Sequence, residues 1–311
     1  LMGLAERYPN EVAFALRLKQ LGYRIQTVIG GRAVHPINTL VGGFGRLPSR
    51  REVGGLRGEL ASAMPPLLAA VDMVASIEIP DWAERNTLFV ALRPGRNDFG
   101  FRGDVICTSD GYEYPVEAYR DTIREFTVEH STARHAALES GETYLVGSLA
   151  RLGLWGNRLG GAAAQALGTL FPGGVIDNVL LNTRAQMVEL VYSLESALQF
   201  CDSYLGLDEI TSEMQPVEER AGRGIGAIEA PRGTLFHEYE LDDEGRVSAA
   251  NVVTPTAQNL ANIERDLRSS GDRLQRAGTV SDAELKRGFE MVARAYDPCI
   301  SCSVHLVRID D

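Results

Sequence analysis

The residues with the clearest capacity for chemistry lie at the carboxyl end of the sequence. Cys299, Cys302 and His305 follow one another at three-residue spacing, directly after Pro298. Two thiolates at this spacing can reach one metal ion, and soft sulfur ligands favour nickel, iron, zinc or copper(I) over calcium or magnesium. Spacing alone favours a structural zinc site in which His305 and His237 complete a tetrahedron.

An arginine in a stiff local setting is the second candidate. Arg232 lies between Pro231 and Gly233. The restricted backbone of proline and the permissive backbone of glycine can together hold a guanidinium at a fixed height over a buried centre. The alternative is an arginine on a solvated hairpin.

A C-terminal helix must position the cysteine motif. Ser281 and Glu284 form a capping box at its start, and Pro298 stops it. The residues expected on its buried face are Leu285, Phe289, Val292 and Tyr296. The cysteines therefore leave a rigid helix end that points into the body of the protein.

The remaining pattern predicts a mainly α fold with small β elements, an α+β class, in a single domain of residues 1–311. Helices are expected over residues 59–74 and 116–204, with a central packed helix over 186–198. Residues 29–52 are expected to form a loop.

Two small β elements are expected between these helices. The first contains strands over residues 87–93 and 104–108 and a tight turn at Asp110-Gly111. The second is a hairpin over residues 235–253 that turns at 242–245. We expect these elements to be minor parts of the fold.

The other cysteines and two histidines have ordinary structural explanations. Cys107 and Cys201 lie in apolar stretches, which favours buried structural thiols. His130 and His135 are expected on the solvated face of a helix over residues 127–139.

Composition disfavours several classes of function. The 311 residues are 44% hydrophobic and carry a net charge of -11, which predicts a globular protein and disfavours a nucleic-acid partner. The longest apolar stretch, residues 65–77, is interrupted by Asp72 and is too short to cross a bilayer, and no basic-then-apolar leader opens the chain. Four cysteines are too few for a disulfide framework and fit a reducing cytoplasm.

Four separated segments form one constellation. They are residues 30–36 with Gly42-Gly43, 144–151, 229–233 with 253–256 and Asn259, and 297–305. Because the four segments occur in this order and at about this spacing, the chain resembles the large (catalytic) subunit of nickel-iron hydrogenases over essentially its whole length. Its ending resembles the cytoplasmic, NAD(P)-linked bidirectional branch that includes the sulfhydrogenases. The resemblance implies a helical core with two β-hairpin regions.

The resemblance also has a departure. The family carries two Cys-x-x-Cys pairs, and the N-terminal pair and a neighbouring acidic proton carrier are absent from this sequence. We therefore expect a chain that lacks roughly the N-terminal quarter of a family member. A relative of this subunit in the respiratory quinone reductases is a metal-free scaffold without the cysteines, which keeps a second class of function open.

The resemblance implies roles for the candidate residues. Cys299 would be a terminal nickel ligand and Cys302 would bridge nickel and iron in a Ni-Fe(CN)2(CO) centre. His305 would bind magnesium or iron nearby and relay protons. Arg232 would lie above the open metal position, where it would polarise hydrogen or assist proton removal, and Asp297 would orient it. The other interpretation of Asp297 is a helix cap.

Further residues would support the centre. Thr256 and the Pro255 backbone would lie beside the iron's cyanide, which needs hydrogen-bond donors in an apolar pocket. Pro231, which precedes the arginine, would restrict the backbone of the connection. His35, locked against Pro36, is either a loop-anchoring hydrogen-bond donor or a group that feeds protons to the centre.

The implied reaction is reversible heterolytic cleavage of hydrogen. Iron-sulfur clusters cannot be housed here, because only two thiols are unassigned and they lie in unrelated segments. The implied partners are an iron-sulfur small subunit, diaphorase subunits that carry flavin and NAD(P), and a maturation endopeptidase that removes Leu306 to Asp311 after His305.

Overall fold

Residues 6–299 are described by the computed structural model, except 96–98, 175–177, 212, 219, 277 and 279. Their backbone groups into a first unit, Leu1–Ser76 with Val188–Glu219, and a second unit, Ile77–Met187 with Arg220–Asp311. Each unit is described by itself. The single domain expected over residues 1–311 stays a prediction.

The secondary structure is about half helical, with small sheets. In chain order the elements are α1 (Pro9–Gly30), β1 (Thr39–Leu40), β2 (Gly43–Phe44), α2 (Arg50–Ala75), β3 (Leu88–Leu92), β4 (Val105–Thr108), β5 (Glu113–Pro115), α3 (Tyr119–Thr122), β6 (Ile123–Val128), β7 (Ser131–Leu138), β8 (Tyr144–Leu145), α4 (Ser148–Trp155), α5 (Gly161–Leu170), α6 (Asn182–Leu205), β9 (Gly222–Ala230), β10 (Gly233–Leu241), β11 (Val247–Val253), α7 (Pro255–Arg276) and α8 (Asp282–Ala295). The mainly α prediction is confirmed.

The first unit contains α1, α2, the β1–β2 hairpin and the later part of α6. Helix α2 begins at Arg50, earlier than predicted, because Ser49 and Glu52 form a reciprocal capping box. Its buried side chains recur at helical spacing and are Val53, Leu56, Leu60, Leu67 and Val71. Helix α1 ends at Gly30, and the next residue, Gly31, has a left-handed φ of 84° and donates its N–H to the Thr27 carbonyl.

Three sheets lie among the described residues of the second unit. One has the strand order β5-β4-β3-β8, in which β3 and β8 are parallel; β6 pairs with β7; and β9, β10 and β11 form an antiparallel sheet with β10 in the centre. The two predicted β elements are thereby confirmed, and strand β9 is added to the second one. The capping box of Ser281 and Glu284 at the start of α8 is also confirmed.

The helical prediction over residues 116–204 is wrong for residues 123–145, which contain strands β6, β7 and β8. A hairpin, β6–β7, lies there instead, and it carries both His130 and His135. The alanines near the end of β7 resemble a helical pattern, but Ala136 and Ala137 are buried in the strand, and packing overrides their weak strand propensity. His135 is 2% exposed, so the prediction of a solvated helical face is wrong for it.

A buried apolar cluster joins the sheets of the second unit. Its largest members include Tyr119, Tyr144 and Phe236, and the rings of Tyr119 and Phe236 stack with centroids 5.1 Å apart. Cys107 and Cys201 are both buried free thiols, as predicted. Burial raises the pKa of each thiol, which keeps both protonated and inert.

One buried carboxylate on β10 collects three donors. Glu238 accepts hydrogen bonds from the Tyr119 hydroxyl at 2.6 Å and from the Nε atoms of Arg120 and Arg223, each at 2.7 Å. Hydrogen bonds from Arg223, then Arg120 and Tyr119, lower the pKa of Glu238 from 4.5 to about 2. The carboxylate is therefore ionised at any pH at which the protein is handled.

This carboxylate should make the stability of the protein sensitive to acid. Because the pKa of Glu238 is lower in the folded state, its contribution is full above the ordinary pKa of 4.5 and falls as pH drops towards about 2. Urea unfolding of the parent and Glu238→Gln proteins should therefore differ most near neutral pH and converge below 4.5. Glu240→Gln is the control, because the Glu240 side chain is half exposed and its carboxylate lies 4.0 Å from Nε of Arg223, too far for a hydrogen bond. A constant gap between parent and Glu238→Gln at all pH values would contradict the assignment.

Candidate active site

The turn that carries Arg232 is pressed against a neighbouring backbone segment. Strand β9 pairs with β10 up to Ala230 and Gly233, so Pro231 and Arg232 form the connection. Gly233 has φ 134°, and a Cβ there would lie 2.3 Å from Cγ2 of Val146. A Cβ on Gly147, with φ 117°, would lie 3.0 Å from the Arg232 carbonyl oxygen. Only glycine fits at both positions without displacement.

A buried ion pair lies beneath this turn. The guanidinium of Arg151 bonds Glu229 Oε2 at 2.8 Å, and both side chains are fully buried. Arg151 also donates to the carbonyls of Ala230 and Pro231, each at 3.0 Å. The second carboxylate oxygen of Glu229 accepts from the Leu92 N–H and the Thr234 hydroxyl. Arg151 and Glu229 therefore hold the Pro231–Arg232 connection from below, a role that the sequence did not reveal.

Arg232 and Asp297 are brought together, as predicted. Nε of Arg232 donates to the backbone carbonyl of Asp297 and lies 3.1 Å from its Oδ2. Among the described residues, nothing accepts a hydrogen bond from the two terminal nitrogens of Arg232. These nitrogens remain able to act on another group.

Asp297 is more than a helix cap. It follows α8 with φ 48°, a left-handed conformation that acidic and amide side chains tolerate best. Its N–H bonds the Arg294 carbonyl at 3.0 Å, and its side chain faces Arg232. The left-handed residue turns the chain from the helix axis towards α7.

The backbone of Cys299 contacts the first turn of α7. Its N–H donates to Oγ1 of Thr256 at 3.2 Å, and Thr256 is 3% exposed in the first turn of that helix, next to Pro255. A helix N-terminus favours a thiolate over a thiol.

Polar side chains of α7 fix the segments around this cluster. Asn259 bonds both backbone groups of Val146, at 2.9 and 3.2 Å. Tyr296, directly before Asp297, donates to Asp266 Oδ2 at 2.5 Å and accepts from Asn262 at 2.7 Å. Burial raises the pKa of the Tyr296 phenol well above its usual range, so it stays a donor.

Three segments of the predicted constellation, at residues 144–151, 229–233 and 297–299, thus meet in the second unit with the start of α7. Cys302, His305 and Leu306 to Asp311 lie outside the described residues. His237 would be the fourth ligand of the alternative structural zinc site. Its Nδ1 lies 2.8 Å from the Tyr239 hydroxyl.

His35 belongs to the first unit. It is exposed, with a left-handed φ of 53° before Pro36, and it has no hydrogen-bond partner among the described residues. Asn38 anchors this loop instead, through bonds of 2.7 Å to Ile29 and Arg46. A role for His35 in proton supply stays a prediction.

Comparisons with known proteins agree with this geometry. A family model described as nickel-dependent hydrogenase matches residues 178–305. Sulfhydrogenase 1 subunit alpha of Pyrococcus furiosus is 38% identical over 310 residues, which cover 98% of this chain and 70% of the relative. The chain belongs to the nickel-dependent hydrogenase family. The resemblance inferred from the sequence is confirmed, and members of this family are oxidoreductases that act on hydrogen.

Further hydrogenases place the chain within the family. The beta subunit of the NAD-reducing hydrogenase HoxS of Cupriavidus necator is 26% identical over 336 residues, 98% of this chain and 67% of the relative. A crystal structure of an NAD+-reducing [NiFe]-hydrogenase superimposes with a TM-score of 0.83 at 24% identity, covering 98% of this chain and 71% of that one. This likeness confirms the hydrogenase large-subunit fold. Among the described residues, no helix has the length and apolar character needed to span a membrane.

Proposed function

We propose that this chain is the catalytic subunit of a [NiFe] hydrogenase that cleaves hydrogen heterolytically and reversibly. The observation that carries the proposal is the contact of Arg232 with Asp297, two residues before Cys299, whose backbone is tied to Thr256. A surface arginine or a structural zinc clip does not require this arrangement.

One of the family's two cysteine pairs is present to hold a nickel-iron centre. Cys299 and Cys302 would bind it through thiolates, and His305 would bind magnesium or iron beside it. When bound, the centre would supply the Lewis acidity and redox capacity that hydrogen cleavage requires. Thr256 and the Pro255 backbone would line the same end of α7 as hydrogen-bonding and packing groups.

The chain's own residues would then handle charge and protons. A guanidinium is protonated at all relevant pH values, so Arg232 acts as a positive hydrogen-bond donor rather than a base. Its terminal nitrogens would stabilise negative charge at the open position, while Asp297 holds Nε. The Cys299 thiolate is the better candidate to accept the proton, because a sulfur beside a bound cation is deprotonated and therefore available to take one up. Arg151 and Glu229 keep the arginine turn in place.

The electrons require partners. We infer an iron-sulfur small subunit, since Cys107 and Cys201 lie in separate elements and cannot complete a cluster. The similarity to sulfhydrogenase 1 subunit alpha and to the NAD-reducing hydrogenase HoxS supports transfer onward to NAD(P) through flavin-carrying diaphorase subunits. A maturation endopeptidase that cuts after His305 completes the proposal.

The metal content of the purified complex tests this function. The parent should contain stoichiometric nickel and oxidise hydrogen with a dye as electron acceptor, and Cys299→Ser should lose both. Cys201→Ser is the matched control, because Cys201 is also a buried cysteine but lies in α6 of the first unit. Zinc alone in the parent would support the structural clip, and an absence of metal would support the scaffold. Either outcome, or nickel retained in Cys299→Ser, would overturn the proposal.

A further inference from the structure

We propose that His130, His135 and Glu264 form a second binding site, for a divalent transition-metal ion such as Zn²⁺. The β6–β7 hairpin provides both imidazoles, His130 from its turn and His135 from β7, and α7 provides the carboxylate. All three belong to the second unit and stand outside the cluster of Arg232 and Cys299.

The three ligand atoms converge. Nε2 of His130 lies 2.7 Å from Oε1 of Glu264, and Nε2 of His135 lies 3.0 Å from the same oxygen. The three groups offer ligand atoms that all lie within 4.8 Å of one another. Tetrahedral zinc with bonds of about 2.0–2.1 Å to nitrogen needs separations of roughly 3.3 Å between ligand atoms. The two nitrogen-to-oxygen distances of 2.7 and 3.0 Å would therefore lengthen by about 0.6 and 0.3 Å to admit the ion.

The orientation of His135 suits a metal ligand. Its Nδ1 lies 3.2 Å from the Ala133 carbonyl oxygen, which can only accept a hydrogen bond, and its Nε2 faces Oε1 of Glu264. An Nδ1–H bond to a carbonyl is a usual way in which proteins orient a metal-binding imidazole.

The two rings are close together and unequally exposed. The ring centroids of His130 and His135 lie 6.2 Å apart, and His135 is 2% exposed. A single divalent ion could be bound by both imidazoles and the carboxylate together.

The surroundings indicate the type of ion and its role. Two imidazoles and one carboxylate favour Zn²⁺, Co²⁺, Ni²⁺ or Cu²⁺ over Mg²⁺ or Ca²⁺. The side chain of His130 is 62% exposed, so a water molecule can fill a fourth position. Arg268 approaches the other oxygen, Oε2, only at 3.9 Å with its side chain 79% exposed, and it can move away. A bound ion would cross-link the hairpin to α7, the helix that carries Thr256 and Asn259.

Cobalt titration of the chelator-treated complex tests this site, because Co²⁺ reports its ligands in its spectrum. The parent should bind Co²⁺ at a site without a thiolate-to-cobalt charge-transfer band, and Zn²⁺ should displace it. His130→Asn and Glu264→Gln should each weaken this binding by about 100-fold or more, beyond the typical effect of losing an outer-shell group. His237→Asn is the matched control and should bind as the parent does.

Two results would overturn the proposal. One is equal affinity for Co²⁺ in the parent, His130→Asn and Glu264→Gln proteins, which would mean that the three side chains interact with one another but bind no ion. The other is a thiolate band that accounts for all bound cobalt and disappears in Cys299→Ser. Zn²⁺ should also raise the melting temperature of the parent and His237→Asn proteins but not of His130→Asn, which distinguishes lost binding from misfolding.

Discussion

Lysine in place of Arg232 should lower hydrogen turnover by on the order of 100-fold or more, with nickel content unchanged. Loss of one positioned donor at a developing charge typically has an effect of about 100- to 1000-fold. Arg232 uses Nε to hold Asp297 and keeps two terminal nitrogens for the open position. Lysine has one nitrogen and cannot perform both tasks in a fixed geometry.

Hydrogen oxidation and nickel content of the complex measure this effect. Arg246→Lys is the matched control, because Arg246 also follows a hairpin turn. Its side chain is 75% exposed, and its guanidinium lies 3.9 Å from Glu244, too far for a hydrogen bond. Asp297→Asn should have an intermediate effect, since asparagine tolerates the left-handed backbone and keeps a hydrogen-bond acceptor while losing the charge. Unaltered turnover in Arg232→Lys would remove the proposed role.

The features that the sequence predicted well are those with local signals. A capping box marks the start of α8, and alternating strands around a Gly-containing turn mark β10 and β11. The order Pro231-Arg232-Gly233 likewise gives a restrained connection that places Arg232. In each case, neighbouring residues determine the conformation, so no knowledge of distant contacts is needed.

The features that the sequence missed depend on distant contacts. Ala136 and Ala137 have low strand propensity, and their burial in β7 comes from the elements packed on that strand. The sequence predicts a later start for α2 because Gly54 and Gly55 follow the capping box of Ser49 and weaken the helical pattern. A helix over residues 127–139, as the sequence predicts, gives no indication that His130 and His135 converge with Glu264, which is 134 and 129 positions away in the chain.

The buried ion pair of Arg151 and Glu229 is the main feature of the candidate site that the sequence does not predict. The two residues are 78 positions apart, and no local pattern connects them. A signal was nevertheless present, because an arginine within the otherwise apolar segment 144–152 is rarely buried without a partner. The nearest acidic residue of the predicted constellation is Glu229, which the structure confirms as that partner.

Removal of this arginine should have the largest effect on stability. Arg151→Met keeps most of the side-chain volume but leaves Glu229 buried and uncompensated, which typically lowers the free energy of unfolding by about 3–5 kcal/mol. Urea unfolding followed by circular dichroism measures the loss. The control is Arg124→Met, because the pair of Arg124 and Glu139 is exposed on both sides and should contribute less than about 1 kcal/mol.

The double variant distinguishes a charge effect from a packing effect. Glu229→Gln keeps a carbonyl oxygen to accept from Leu92 and Thr234 but carries no charge. Adding it to Arg151→Met should restore part of the lost stability, since the buried charge is gone. Hydrogen turnover should be lower than in the parent in both Arg151→Met and the double variant, because in both the carbonyls of Ala230 and Pro231 lack the donors that Arg151 gives them. A single Arg151→Met variant within about 1 kcal/mol of the parent would show that the pair does not support the turn of Arg232.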